Sequence, residues 1–196
     1  MKFDLIVCGA AGQGIITLSR IILRAAVSEG FDAKMVSFFG IAKTEGPVVT
    51  HVRIGNPSGP SPKIPAGKAD AIIAMDRLEA VRHERFLRPG GLVVVDETGA
   101  PPVNARFGGL GYPSVDHVKE TFADARVIWV PATLSATALG DSRMGGAVLL
   151  GAMAALTQTL DRDSLVMSVR TELPAKADSE AEAFFKGISF ITGKDD

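Results

Sequence analysis

The first forty residues constrain this chain most. Residues 3–8 (F-D-L-I-V-C) form a short, nearly continuous apolar run, the pattern of a strand buried on both faces of a parallel sheet. The run breaks into Gly9-Ala10-Ala11-Gly12-Gln13-Gly14. Apolar residues then recur at helical spacing as Ile15, Leu18, Ile22, Ala25 and Ala26, until Gly30 supplies a stop. A second strand over residues 33–39 closes a strand–turn–helix–strand unit of crossover length.

The alternation continues. Residues 48–54 (V-V-T-H-V-R-I) read as a strand with one wetter face, and residues 56–68 as a proline-rich loop. A strand at 71–75 leads to a helix at 78–87, which Pro89-Gly90-Gly91 should stop before a strand at 92–96. Residues 98–114 look irregular, and a short helix at 116–123 precedes a strand at 127–130. The stretch 133–143 carries no assigned element. Residues 145–160 are apolar nearly all round and lined with Gly146, Ala147, Gly151, Ala152, Ala154 and Ala155, so this helix should be buried against a close neighbour. Asp161-Arg162-Asp163 opens a further helix with acids where the dipole favours them, and residues 179–190 form the last. The expected fold is α/β: a Rossmann-like, doubly wound, mostly parallel sheet with helices on both faces. Residues 1–196 should form one domain, with C-terminal helices over 161–193 packed on it.

Composition narrows the functions. Twenty-one Lys and Arg against 22 Asp and Glu give a formal charge of −1, so no general attraction to nucleic acid or acidic membranes is expected. One cysteine, Cys8, excludes an intramolecular disulfide and any cluster with two or more cysteine ligands. No apolar run reaches a membrane span, and the N-terminus lacks signal-peptide architecture, which predicts a cytoplasmic protein.

Gly9, Ala11, Gly12, Gln13 and Gly14 lie where a dinucleotide fold places its phosphate loop. The fingerprint is imperfect, with Ala11 in place of the second glycine, and residues 36–39 (V-S-F-F) lack the acid that would hold a ribose. The turn alone is therefore compatible with a structural role, with a phosphate or CoA contact, or with NAD. Residues 87–96 (L-R-P-G-G-L-V-V-V-D) also resemble a methyltransferase stretch, although a helix stop before a buried strand accounts for them.

Several segments together resemble one family. C-G-A-A-G-Q-G-I-I-T-L-S-R-I-I-L (8–23), E-G-P-V-V-T-H-V-R-I-G (45–55), A-D-A-I-I-A-M-D-R-L-E-A-V-R (69–82), L-R-P-G-G (87–91) and M-G-G-A-V-L-L-G-A-M-A-A-L (144–156) are similar, in order, to the gamma-type subunits of 2-oxoacid:ferredoxin oxidoreductases, the indolepyruvate type first. Residues 43–47 (K-T-E-G-P) replace that family's basic, glycine-rich turn, and Glu45 there would repel phosphate. The resemblance implies oxidative decarboxylation of a 2-oxoacid to an acyl-CoA, with thiamine diphosphate and iron–sulfur clusters passing electrons to ferredoxin.

This chain should hold none of those cofactors itself. The nearest match to a thiamine diphosphate Gly-Asp-Gly is Gly140-Asp141-Ser142, and both asparagines, Asn56 and Asn104, lie upstream of it. Thiamine diphosphate, magnesium and [4Fe-4S] clusters are therefore expected on partner subunits, with CoA shared. Without its partner the chain should self-associate or be poorly soluble, through an apolar patch left uncovered. A stand-alone nucleotide- or dinucleotide-binding enzyme is the rival reading, and a pure assembly subunit the third.

No catalytic residue or metal ligand is assigned. His51 and Arg53, two apart on one strand, share a face. They either bind a carboxylate or CoA phosphate at a partner's active site or sit on a solvated strand face. His83 and His117 are expected at the surface, Asp76 as a helix cap, and Cys8 as a buried small hydrophobe. Asp96 and Glu97 are expected at the ligand-collecting rim of the sheet.

Overall fold

Burial begins at the third residue of the first strand. In the computed structural model, which describes residues 2–40, 46–55, 61–98 and 111–193, strand β1 (Lys2–Ala10) is buried from Asp4 to Ala10. Helix α1 (Ile15–Ser28) buries the expected stripe of Ile15, Leu18, Ile22, Ala25 and Ala26, together with Ile21. Gly30, at φ +83°, turns the chain out of it.

Strands β2 (Ala33–Phe39), β3 (Pro47–Gly55), β4 (Ala69–Ala74), β5 (Leu87–Asp96) and β6 (Arg126–Val130) complete a sheet of order β2-β3-β1-β4-β5-β6. The β1, β4, β5 and β6 ladders are parallel. Strand β3 is not: it runs antiparallel to both β1 and β2 and sits between them. The expected crossover exists, but its second strand is one place further out, because β2 and β3 fold back on each other.

The wetter face expected for β3 is dry. Thr50, His51, Val52, Arg53 and Ile54 are all buried, and the face carrying His51 and Arg53 is covered by residues 61–64 and the rings of Phe38 and Phe86. The helix expected at 78–87 also differs. Helix α2 is only Arg77–Arg82, a 3-10 turn follows at Glu84–Phe86, and Leu87 already belongs to β5. Pro89-Gly90-Gly91 thus lies inside a strand, where a register shift between Ala69 and Ala71 and a φ of +68° at Gly90 mark the bulge. At the bulge Gly90 N donates to Asp124 O in the turn before β6, and strand geometry replaces the expected helix end.

Helix α3 (Val115–Thr121) starts on Ser114, whose hydroxyl accepts from His117 N. The unassigned stretch 133–143 contains most of helix α4 (Ala132–Ala138) and a 3-10 turn, Ser142–Met144. Helices α5 (Gly145–Thr157), α6 (Arg162–Glu172) and α7 (Ala177–Thr192) follow, α6 capped by Asp161 as its acids suggest. Helices cover both sheet faces, with the larger core under α1, α5, α6 and α7 and the smaller around Ile6, Cys8, Ile72, Phe86 and Val118. The small-residue helix α5 meets α7 at backbone distance. An ideal Cβ on Gly151 would lie 1.9 Å from Phe184 O, and one on Gly187 1.9 Å from Val148 O. No described helix is long and apolar enough to cross a membrane.

Candidate functional site

The glycine turn stands at the carboxyl end of β1, where open α/β sheets collect ligands. Its five residues do different work. Gly9 is required by packing, since a Cβ there would lie 2.5 Å from Gln13 Oε1 and 2.8 Å from Met75 Cβ. Gln13 closes the turn: its side chain accepts from Ala10 N at 2.6 Å, and its own N–H donates to Ala10 O. Gly12 and Gly14 adopt φ of +94° and +78°, with open space where their Cβ atoms would be. Their glycine character therefore answers to backbone conformation. Ala11 is exposed and its N–H donates to Gly46 O.

Gly14 caps α1 with no side chain, and the first turn of α1 carries no acid. The first N–H groups of that helix lack intrahelical partners, and the dipole makes their end positive. Two hollows flank the turn. The outer one, about 360 Å³, is walled by Ala10, Ala11, Ile16, Phe39 and Val48. The inner one, about 260 Å³, runs beneath α1 toward α5 and α7.

His51 and Arg53 do share a face, as their spacing requires, and that face is the interior. His51 is 1% exposed. Its Nδ1 accepts from Ile64 N at 3.0 Å, and its ring lies edge-on to Phe38 and Phe86. Burial pulls its pKa down to about 4, so the ring is neutral at neutral pH. Arg53 forms a fork on Asp4, with Nε 2.8 Å from Oδ1 and Nη2 3.2 Å from Oδ2, while Nη1 donates to Ser61 O. Both side chains tie β3 to β1 and to residues 61–64.

Asp96 is a correction. Instead of a rim it is fully buried, and its carboxylate accepts from Thr98 N, Ala132 N, Thr133 N and the Thr133 hydroxyl. It holds the start of α4; Glu97 beside it is exposed. Cys8 is buried, with its thiol pKa pushed well up by desolvation, so it is no nucleophile. Asp76 caps α2, accepting from Glu79 N, and burial raises its pKa to about 6. His117 is exposed as expected. His83 is not: its side chain is 16% exposed and its Nε2 lies 3.5 Å from the buried Glu79.

Sequence reasoning missed a group at the inner cavity. Arg143 and Lys176 share the Asp141 carboxylate at 2.8 and 2.6 Å, and Glu180 lies beside them. Asp141, the nearest of these residues to α1 in sequence, lies 113 positions after its last residue, Ser28, and Lys176 is a further 35 on, so no local pattern announces them. The expected turn 43–47 lies mostly outside the described residues. Among the described residues no group of three or more His, Cys, Asp and Glu is arranged to hold a metal.

Comparison with known proteins gives one consistent result. The family model for pyruvate ferredoxin/flavodoxin oxidoreductase matches residues 4–190. The chain is 30% identical over 195 residues to indolepyruvate oxidoreductase subunit IorB of Pyrococcus horikoshii, covering 95% of each. In fold it is similar to the gamma subunit of a keto/oxoacid ferredoxin oxidoreductase from Geobacter sulfurreducens, with a TM-score of 0.74 at 20% identity, covering 98% of this chain and 99% of that one. It also superposes, with a TM-score of 0.78 at 20% identity, on 31% of the 2-oxoglutarate:ferredoxin oxidoreductase of Magnetococcus marinus, covering 98% of this chain.

Proposed function

This chain belongs to the pyruvate ferredoxin/flavodoxin oxidoreductase family, and we propose that it is the gamma-type subunit of a 2-oxoacid:ferredoxin oxidoreductase of the indolepyruvate kind. The observation that carries this reading is the end-to-end likeness to subunit IorB in a chain with a single, buried cysteine. Thiamine diphosphate, magnesium and iron–sulfur clusters then reside on partner subunits, and ferredoxin is reached through the complex. A face for such a partner is on hand: Phe39 is 63% exposed and Phe38 40% exposed on the edge strand β2.

Within the complex, the turn around Ala11, Gly12, Gln13 and Gly14 would offer the uncapped N–H groups of α1 to a CoA phosphate in the outer hollow. The Magnetococcus relative is described with coenzyme A bound. Gly9, His51 and Arg53 would act behind this surface, holding the turn and β3 in place. A self-sufficient dinucleotide enzyme fits less well. The end of β2 offers Phe38 and Phe39 in place of a ribose-binding acid, and β3 displaces it from β1 by one further strand spacing, about 4.8 Å.

The purified chain should be colourless and inert toward 2-oxoacids with thiamine diphosphate and magnesium added, and its partner subunit should restore turnover. Intrinsic turnover or an iron–sulfur absorbance would refute the assignment. Substitution at Gly12 cannot test the CoA contact, because any side chain there is strained at φ +94°. Ala11→Glu places a negative charge at the same hollow from exposed backbone of ordinary conformation. It should raise the Michaelis constant for CoA at least tenfold with little change in melting temperature; an unchanged CoA response would make the turn scaffold only.

A further inference from the structure

The inner cavity has a lining of two kinds. Leu18 and Ile21 of α1, Leu150 of α5, Val169 of α6 and Leu173 make it apolar on one side. Arg143, with a side chain 70% exposed, and Lys176 bring cations to it. They share one carboxylate, Asp141, so that trio carries one net positive charge, which the Glu180 carboxylate beside it balances through space. Arg143 first, and then Lys176, hold the Asp141 carboxyl well below the usual carboxylate range.

Glu180 also lines this space. It is only 8% exposed, and its carboxylate meets Lys176 and Arg143 through space and not by a hydrogen bond among the described residues. Desolvation raises its pKa, and the nearby charges of Lys176 and Arg143 offset that only in part. A largely buried carboxyl that has cations nearby but no hydrogen-bond donor keeps part of its desolvation cost. An acceptor of this kind facing an open cavity is matched by a ligand that brings its own donors. An anion alone leaves Glu180 unexplained, and a cation alone leaves Arg143 and Lys176 unexplained. A purely apolar guest satisfies neither.

We propose that the inner cavity binds a free amino acid with an apolar side chain. Its ammonium donates to Glu180, its carboxylate meets Arg143 and Lys176, and its side chain lies on Leu18, Ile21 and Leu150. The size agrees: 260 Å³ corresponds to the liquid share of roughly nine waters, room for one such molecule. Under the proposed function this ligand is the amino counterpart of the 2-oxoacid the complex consumes, so an amino-transfer reaction connects the two. Occupancy would then report substrate supply. The binding site itself does not depend on that reading, nor on the outer hollow.

Titration calorimetry on the full chain with L-phenylalanine and with phenylpyruvate tests it, without reference to turnover. Phenylalanine should bind with a millimolar or tighter constant, and phenylpyruvate, which lacks the ammonium, at least tenfold more weakly. Glu180→Gln keeps the shape and removes the charge. It should weaken phenylalanine at least tenfold, about 1.4 kcal/mol, leave phenylpyruvate unchanged, and not lower the melting temperature. Thr17→Phe, which fills the cavity from α1 without touching Glu180, should abolish both. The proposal is overturned by the absence of saturable heat at ~10 mM ligand, which would nearly fill a ~1 mM site. It is equally overturned by equal affinity for the two ligands, or by unchanged binding in either variant.

Discussion

The crossing of α5 on α7 makes a quantitative demand on Gly151. A Cβ there would lie 1.9 Å from Phe184 O, 2.9 Å from Phe184 C and 3.2 Å from Gly187 Cα. A carbon–oxygen contact rarely closes below about 3.3 Å, so Gly151→Ala must part the helices by about 1.4 Å at this point. The obstruction is backbone, which cannot rotate away as a side chain would. That places the strain near the upper end of the roughly 1–3 kcal/mol that overpacking costs. Alanine's better helix propensity returns ~1 kcal/mol. The net loss is about 2 kcal/mol, and at about 2–4 °C per kcal/mol for a chain of this size the melting temperature should fall by about 4–8 °C. Calorimetric melting of Gly151→Ala beside Gly146→Ala checks it. The control sits on the same helix, where a Cβ meets Leu18 Cδ2 at an ordinary 3.6 Å, and should match or exceed the wild type. Equal melting temperatures for Gly151→Ala and wild type would refute the close crossing.

Other perturbations test the buried polar groups. Arg53→Met leaves Asp4, 0% exposed, with only the looser Lys2 contact at 3.5 Å and should cost about 3 kcal/mol, the lower end for a broken buried pair, in urea unfolding; Asp4→Leu with Arg53→Met should recover most of the loss. Burial lifts Asp76 to about 6, so the fold binds that proton more tightly than the unfolded chain does, and the residue weighs against stability above pH 6. Asp76→Asn, which keeps the capping oxygen, should therefore stabilise at about pH 8, with the gain vanishing as pH falls from 6 toward 4. His51 acts with the opposite sign. Its pKa lies at about 4 in the fold, so its contribution is complete above the unfolded value near 6.5 and is lost as pH falls from there toward 4. His51→Gln, whose amide oxygen can replace Nδ1 as acceptor for Ile64 N, should flatten that acid limb in denaturation midpoints.

What local chemistry determines was open to sequence reasoning. The β1 run, the glycine turn and the apolar stripe of α1 lie within thirty residues and are set by backbone conformation and periodicity. The small residues of α5 likewise announce a close neighbour, and a single cysteine excludes a cluster with two or more cysteine ligands in this sequence. Tertiary structure decided what depends on partners distant in sequence. Strand β3 reads as half-wet because Thr50, His51 and Arg53 are polar, yet each is satisfied by a group the pattern does not connect to it: Ser37 Oγ, Ile64 N and the Asp4 carboxylate. Asp96 reads as a rim residue and becomes the anchor of α4 only once β5 and β6 stand side by side. Glu180, 166 positions after Gly14, joins the glycine turn only because α5 holds α7 over α1. A side chain's type and spacing determine which face it takes; whether that face meets water, a carboxylate or a cavity is decided by the elements that pack against it.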